Sequence, residues 1–410
     1  MPRIDKSALR RARPEDPIRA RRDYTGPALF SFGFRPFFLF GAIWAALSAP
    51  LWIWSYLTGR TMIGAAPALD WHIHEMLFGF IAAIIGGFLL TAVPNWTGRM
   101  PVRGLPLMTL FGLWAAGRAA MLAYDALGPV AAVIDSTFLV VLAAVLLREV
   151  ITGGNMRNLP VCILSALFAL ANIGFHIAMT TGAGWRPAQT IAIAIVTMMI
   201  ALIGGRIVPS FTRNWLVQSG RGASLPAPMS RFDGATLVFA GSALLAWIIA
   251  PQDWFSGALL VIAGGLHGTR LARWKGWRTG VEPLVLVLHA GYAWVPLALV
   301  LMGLAALLPG LVPSTAALHA LTAGAMGTMT LAVMTRASLG HTGRERTADI
   351  WTSLIYILVI AGALIRVFAP VLAGGLQYPL MGVAAAFWSG AFGLFAVRYG
   401  PMLITARRPS

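Results

Sequence analysis

Windows of mostly apolar residues, each close to the twenty that a membrane-spanning helix needs, recur along almost the whole chain and decide what it can become. The first follows the segment Phe32–Phe38 and runs to about Tyr56, and the second runs from about Trp71 to Val93. Others fall near 105–122, 130–148, 159–180, 188–209, 234–250, 254–272, 282–308, 314–336, 350–371 and 377–399. The windows predict an all-α polytopic membrane protein with twelve transmembrane helices. Composition agrees, since 58% hydrophobic and 11% charged residues in a chain of 410 cannot clothe a soluble domain in polar surface. A net charge of +17 would suggest nucleic acid in a soluble protein. In a chain whose partner is the lipid bilayer, Lys and Arg in short loops set topology instead, so no nucleic-acid partner is expected.

Residues 1–31 read as a basic cytoplasmic arm, because no small-residue cleavage site follows a short apolar core. Residues 32–400 form the transmembrane domain and 401–410 a short cytoplasmic tail. The loops near Arg99 and Arg103, Arg148 and Arg157, Arg213 to Arg231, Arg270 to Arg278, and Arg344 and Arg346 are basic. They alternate with loops that hold one basic residue or none, so the basic set belongs in the cytoplasm and both termini lie inside.

Within this pattern the second window has a counterpart. Trp71 to Arg99 (WHIHEMLFGFIAAIIGGFLLTAVPNWTGR) returns without a gap as His319 to Arg344 (HALTAGAMGTMTLAVMTRASLGHTGR). Both copies share a histidine (His74, His319), a glycine five residues on (Gly79, Gly324) and a closing Thr-Gly-Arg. A fainter copy without the histidine spans Gln189 to Arg213. The repeats are spans two, six and ten, which predicts three four-helix units about a pseudo-threefold axis. Many secondary transporters are instead built from two halves.

Seven histidines divide by depth. His72, His74, His176 and His319 fall toward the outer face, and His267, His289 and His341 toward the inner one. Ionisable groups inside spans are costly enough to mark functional sites. His72 and His74 are two residues apart and point about 200° apart on a regular helix, so only one of them faces a given site. The apolar stripe through Phe78, Ile81, Ile85 and Phe88, and the match to His319, select His74. Two imidazoles at equal depth on parallel helices suit axial ligation of a haem, and three at the inner face suit copper. The glycines Gly79, Gly86, Gly87, Gly324 and Gly327 admit either a flat cofactor or close helix packing.

Other residues carry weaker signals. Glu75 suits a proton carrier or a partner that orients His72 or His74, and Glu282 a first-turn acid at the start of span nine. Arg206 and Arg336, near inner ends, suit haem propionates or lipid phosphate; snorkelling to the interface is the alternative for them and for Arg366. Met326 and Met329 offer thioethers among 17 methionines. Cys162 is alone, which leaves no disulfide framework, no Cys-Cys metal site and no thioether attachment for haem.

Several long motifs resemble the NnrS family: FGFRPFF from Phe32, WHIHEMLFGF from Trp71, FLLTAVPNWTG from Phe88, GGRIVPSFTRNW from Gly204, LHAGYAW from Leu288 and RASLGHTGR from Arg336. The resemblance covers nearly every span. It implies a twelve-span protein of the bacterial inner membrane that contains haem and copper and protects against nitric oxide. The chain is also similar, more weakly, to the catalytic subunit of haem-copper oxidases, which place haem-ligating histidines on spans two and ten. It departs from that subunit in having one histidine on span ten, none on span six and no His-His pair on span seven, which argues against oxygen reduction. The expectation is a haem b protein with His74 and His319 as axial ligands, and His72 and Arg336 close to the cofactor. A copper site would comprise His289, His341 and His267. Such a protein would bind nitric oxide or a related small molecule, or act on it as an oxidoreductase supplied by an electron donor. The rival expectation is a transporter for a metal or small anion whose intramembrane histidines coordinate the cargo.

Overall fold

Charged and capping residues mark where each apolar window starts and stops as a helix. The computed structural model describes residues 24–60, 66–372 and 375–408, so most of the basic arm lies outside the described residues. Twelve long helices follow: α1 Phe34–Thr58, α2 Ala68–Thr97, α3 Leu105–Leu122, α4 Pro129–Thr152, α5 Leu159–Thr181, α6 Arg186–Gln218, α7 Arg231–Ile249, α8 Trp254–Ala272, α9 Pro283–Leu307, α10 Ser314–His341, α11 Ile350–Phe368 and α12 Gln377–Ile404. No strand occurs among the described residues. Eleven of these helices are long and apolar enough to cross a membrane; α8, with His267 and Arg270 in its last two turns, is less apolar. The 401–410 tail is partly helical, since α12 runs on to Ile404.

Acidic residues cap the starts of several helices. Asp253 accepts from the Phe255 amide (2.9 Å) at α8, and Ser230 and Asp233 form a capping box at α7. Glu282, expected as a first-turn acid, caps α9 from just outside it. Its carboxylate accepts from the amides of Leu284 (3.0 Å) and Ala348 (3.1 Å), tying α9 to the segment before α11. Prolines at the first turns of α3, α4, α5, α6 and α9 sit where no intrahelical N–H is lost.

The helices close into a bundle in which α1 packs on both α2 and α12. Arg35 of the first motif fixes that closure: its Nη1 donates to the carbonyls of Leu403 (2.9 Å) and Thr405 (2.6 Å), satisfying acceptors that the end of α12 leaves free. Three of the most buried spans are α2 (78%), α10 (67%) and α6 (61%), with α9 equal to α6. The repeated spans are therefore interior elements. Basic loops meet one another across the bundle end, through Arg99 with Glu149 (2.5 Å) and Arg278 with the Arg221 carbonyl (2.9 Å).

The two strong repeats share a rare backbone feature. Immediately after His74, residues Glu75–Ile81 form a π-helical turn, and immediately after His319 so do Ala320–Gly327. Such turns are uncommon and concentrate at functional sites. The fainter copy in α6 runs as uninterrupted α-helix.

Candidate functional site

At the end of the bundle where α2 and α10 begin lies a cavity of about 730 Å³, within the size range of small-molecule and cofactor sites. The starts of α2, α6, α10 and α12 and the ends of α1, α7, α9 and α11 surround it. Its walls are mostly apolar, and its basic side chains are His72, His319, Arg186 and Arg366. The stripe of α2 that faces it runs Leu69, His72, Ile73, Met76, Leu77, Phe80 and Ile81, the last shared with the stripe that selects His74.

The two cavity histidines are held differently. His319 places Nδ1 2.7 Å from the Thr315 carbonyl one turn earlier. Because a carbonyl only accepts, Nδ1 carries the proton and Nε2 keeps its lone pair, the arrangement that prepares an imidazole to bind a metal. His72 stacks on Trp52, ring centroids 3.9 Å apart and planes 19° apart, and its Nδ1 has no hydrogen-bond partner. Arg366 Nη1, buried, also lacks one. Two imidazoles and a guanidinium thus converge on an apolar space, a donor set that fits a haem: ring nitrogens for iron, apolar walls for the macrocycle and a cation for an anionic edge group.

The histidine that shares this cavity with His319 is His72, whereas the stripe reading selects His74. The 200° argument holds, and it separates the pair into two different sites. His74 is fully buried on the other side of α2. Its Nδ1 lies 2.9 Å from Glu75 Oε1, and its Nε2 lies 3.1 Å from Asp135 Oδ2 and 3.2 Å from Asn172 Oδ1. His176 Nε2 reaches the same Asp135 Oδ2 at 2.9 Å, and Asn172 Nδ2 donates to it at 2.9 Å. Arg118 of α3 forms ion pairs with both Glu75 and Asp135. Gly79 leaves room for this cluster, since a Cβ there would meet Arg118 Nη1 at 2.5 Å and Glu75 Oε2 at 2.6 Å. Among the described residues, His74, Asp135 and His176 form the group of three whose donor atoms lie within 4.8 Å of one another.

The three histidines expected to form a copper site do not converge in this way. His267 Nδ1 meets the Tyr292 hydroxyl (2.8 Å), His289 Nε2 meets the Thr212 hydroxyl (2.7 Å), and His341 packs on Phe34 at 5.4 Å between centroids. His267, His289 and His341 are not gathered into one donor group of the kind His74 belongs to. Arg336 sits at the far end of α10 from the cavity, its guanidinium 4.1 Å from the centre of the Phe211 ring. Arg206 donates to Asn158 Oδ1 (3.0 Å). Met326 lines the cavity, while Met329 packs on Gly291. The small-residue positions of α10 admit side chains: a Cβ on Gly324 would meet the Trp294 indole at 2.4 Å, and one on Gly327 the Trp388 indole at 2.5 Å.

Four residues central to these sites escaped the sequence reading: Arg118, Asp135, Asn172 and, as a cavity residue, Arg366. Arg118 and Asp135 are ionisable groups within apolar windows, the signal that singled out the histidines. A second buried group, Arg270, donates to Asp233 (3.0 Å), to the Ala201 carbonyl (2.8 Å) and to Tyr292 (3.0 Å).

Compared with known proteins, residues 28–407 match the family model described as NnrS protein. No curated protein matches the chain. The match takes in both histidine sites and every long helix except the last residues of the tail, so the chain belongs to the NnrS family.

Proposed function

We propose that this multi-pass protein of the bacterial inner membrane binds haem b in the cavity between His72 and His319 and protects the cell against nitric oxide. The observation that carries the reading is the pairing of His319, its Nδ1 proton given to the Thr315 carbonyl (2.7 Å), with His72 across one mostly apolar cavity. Trp52 holds the His72 ring in place by stacking, and Arg366 supplies a positive charge for a carboxylate at the edge of the ligand. The apolar walls exclude water and so strengthen each polar contact made inside. A haem bound there would supply an iron centre that exchanges single electrons, or that takes up nitric oxide where one of the two imidazoles gives way to it.

Membership of a family tied to the nitric oxide response supports the same reading. In it α8 is the twelfth span, both termini are cytoplasmic, and α2, α6 and α10 are the inner members of three four-helix units. The copper expected at His289, His341 and His267 has no common donor group to support it.

Optical spectra of the purified protein test the assignment. His72→Ala and His319→Ala should each remove the Soret band, whereas His74→Ala should keep it. An iron-free, colourless wild-type preparation would overturn the proposal in favour of the transporter, and an intact band in either cavity variant would overturn the ligand pair.

A further inference from the structure

The end of the bundle where the basic loops meet carries a groove that the haem site does not use. It has a volume of about 600 Å³ and lies between the last turns of α12, the start of α11 and the segment that follows α10. Three arginines line it, each from a different segment: Arg344 after α10, Arg398 in α12 and Arg408 in the tail. We propose that this groove binds an anionic phospholipid with two phosphates in its headgroup, a lipid of the cardiolipin class.

Backbone contacts bring the arginines together. The Arg408 amide donates to the Thr342 carbonyl (3.1 Å), which lays the tail across the segment after α10. Gly343 (φ +73°) permits that crossing, since a Cβ there would meet the Arg408 carbonyl oxygen at 2.7 Å. Arg35 also holds the tail, through the Leu403 and Thr405 carbonyls. The guanidiniums thus stay close despite their like charge. Burial first, and then the charges of Arg408 and Arg398, lower the pKa of Arg344.

Charge decides the ligand. Asp349 accepts from the Thr352 amide (2.8 Å) with one oxygen and from Arg398 Nη2 (2.6 Å) with the other, so it offsets one of the three positive charges. Among the described residues Arg344 and Arg408 have no carboxylate partner. Glu345, the other acid of that segment, is exposed and does not line the groove. Two positive charges are left, the number that two phosphodiesters neutralise. A guanidinium presents paired N–H donors that match a phosphate bidentately, and basic recesses between spans bind such headgroups.

The rest of the wall suits acyl chains. Trp351 and Val397 are 52% and 74% exposed, and Leu394 and Met402 complete the apolar side. An exposed tryptophan at a helix start beside arginines matches a headgroup boundary, where aromatic rings concentrate. A free phosphate would gain nothing from that wall.

Native mass spectrometry of the full chain in detergent tests the proposal, with cardiolipin, phosphatidylglycerol and inorganic phosphate as probes. One cardiolipin per chain should be retained, and excess inorganic phosphate should not displace it. Phosphatidylglycerol, with one phosphodiester, should bind at least about tenfold more weakly. Arg344→Gln and Arg408→Gln should each weaken cardiolipin binding about ten- to a hundredfold, the loss of one charge-assisted contact. Arg344→Lys, which keeps the charge but not the fork, should fall in between. Arg213→Gln, an exposed arginine near the end of α6, should bind as wild type does. The proposal is overturned by a chain that retains no cardiolipin, that binds both lipids alike, that yields the lipid to inorganic phosphate, or that binds it undiminished after both glutamine substitutions. A dimer that Arg344→Gln dissolves would overturn it too, by making the groove a subunit interface.

Discussion

At the scale of single residues, two positions decide the site: which imidazole faces the cavity and which cation faces it. His72 and His74 could not be told apart, because α2 beyond Glu75 is apolar on every side and an apolar stripe there carries no information about which side meets a cavity. Only the tertiary placement of Trp52 against His72, and of Asp135 against His74, resolves it. That only one of the two histidines faces a given site was legible from their spacing; which one was not. Arg366 was legible only as a charge in a span, because its role depends on the ends of seven other helices arriving around the same space. Replacing it tests that role. A charge-assisted hydrogen bond contributes about 1.5–3 kcal/mol, so Arg366→Ala should lose haem roughly ten- to a hundredfold faster to an acceptor protein. Arg336→Ala, at the other end of α10, should leave the rate unchanged.

At the scale of elements, the helix windows were legible but several of their ends were not, since a bilayer demands an apolar run of fixed length whatever lies around it, while α6 runs nine residues past its window of 188–209 to Gln218. The π turns were not, because i→i+5 bonding leaves no period in a uniformly apolar run. Helix contacts follow local chemistry that substitution can probe. The least apolar long helix, α8, lies backbone to backbone on α9: a Cβ on Gly303 would meet the Gly257 carbonyl oxygen at 2.5 Å and the Val261 amide nitrogen at 3.0 Å. Gly303→Ala should force the pair apart and cost about 1–3 kcal/mol, read as a lower thermal midpoint in detergent. Gly265→Ala, where a Cβ meets nothing within 4 Å, should be neutral or slightly stabilising. Asp349 tests a polar tie outside the spans. Burial alone would raise its pKa, but hydrogen bonds from the Thr352 hydroxyl (2.6 Å) and amide (2.8 Å) and from Arg398 (2.6 Å) hold it below the usual carboxylate value. A depressed folded-state pKa contributes stability that is complete above the unfolded value of about 3.9 and lost as pH falls through the folded one. Asp349→Ala should therefore cost about 1 kcal/mol at pH 7, and the difference from wild type should shrink only below about pH 4.

At the scale of the whole molecule, orientation joins the sites to function. The basic loops meet at one end and the cavity lies at the other, so cytoplasmic loops imply a cavity that faces the outside. The chain lends itself to a direct test because its single cysteine, Cys162, is buried. A cysteine introduced at an exposed position is then the one thiol a bulky, membrane-impermeant maleimide can reach. Gln252 borders the cavity and is exposed, and Ala223 is exposed in the loop beside Lys275 and Arg278 at the opposite end. In cells whose outer membrane has been permeabilised, Gln252→Cys should label while Ala223→Cys labels only after lysis. The reverse pattern would invert the protein, carry the cavity to the cytoplasmic side and leave the excess of Lys and Arg facing outward. Labelling of both in unlysed cells would break the alternation of spans at α7, the helix that joins the two positions. Without α7 as a span, α8 to α12 reverse relative to α1 to α6. The starts of α2 and α10 would then lie on opposite faces, and His72 and His319 would no longer border one cavity.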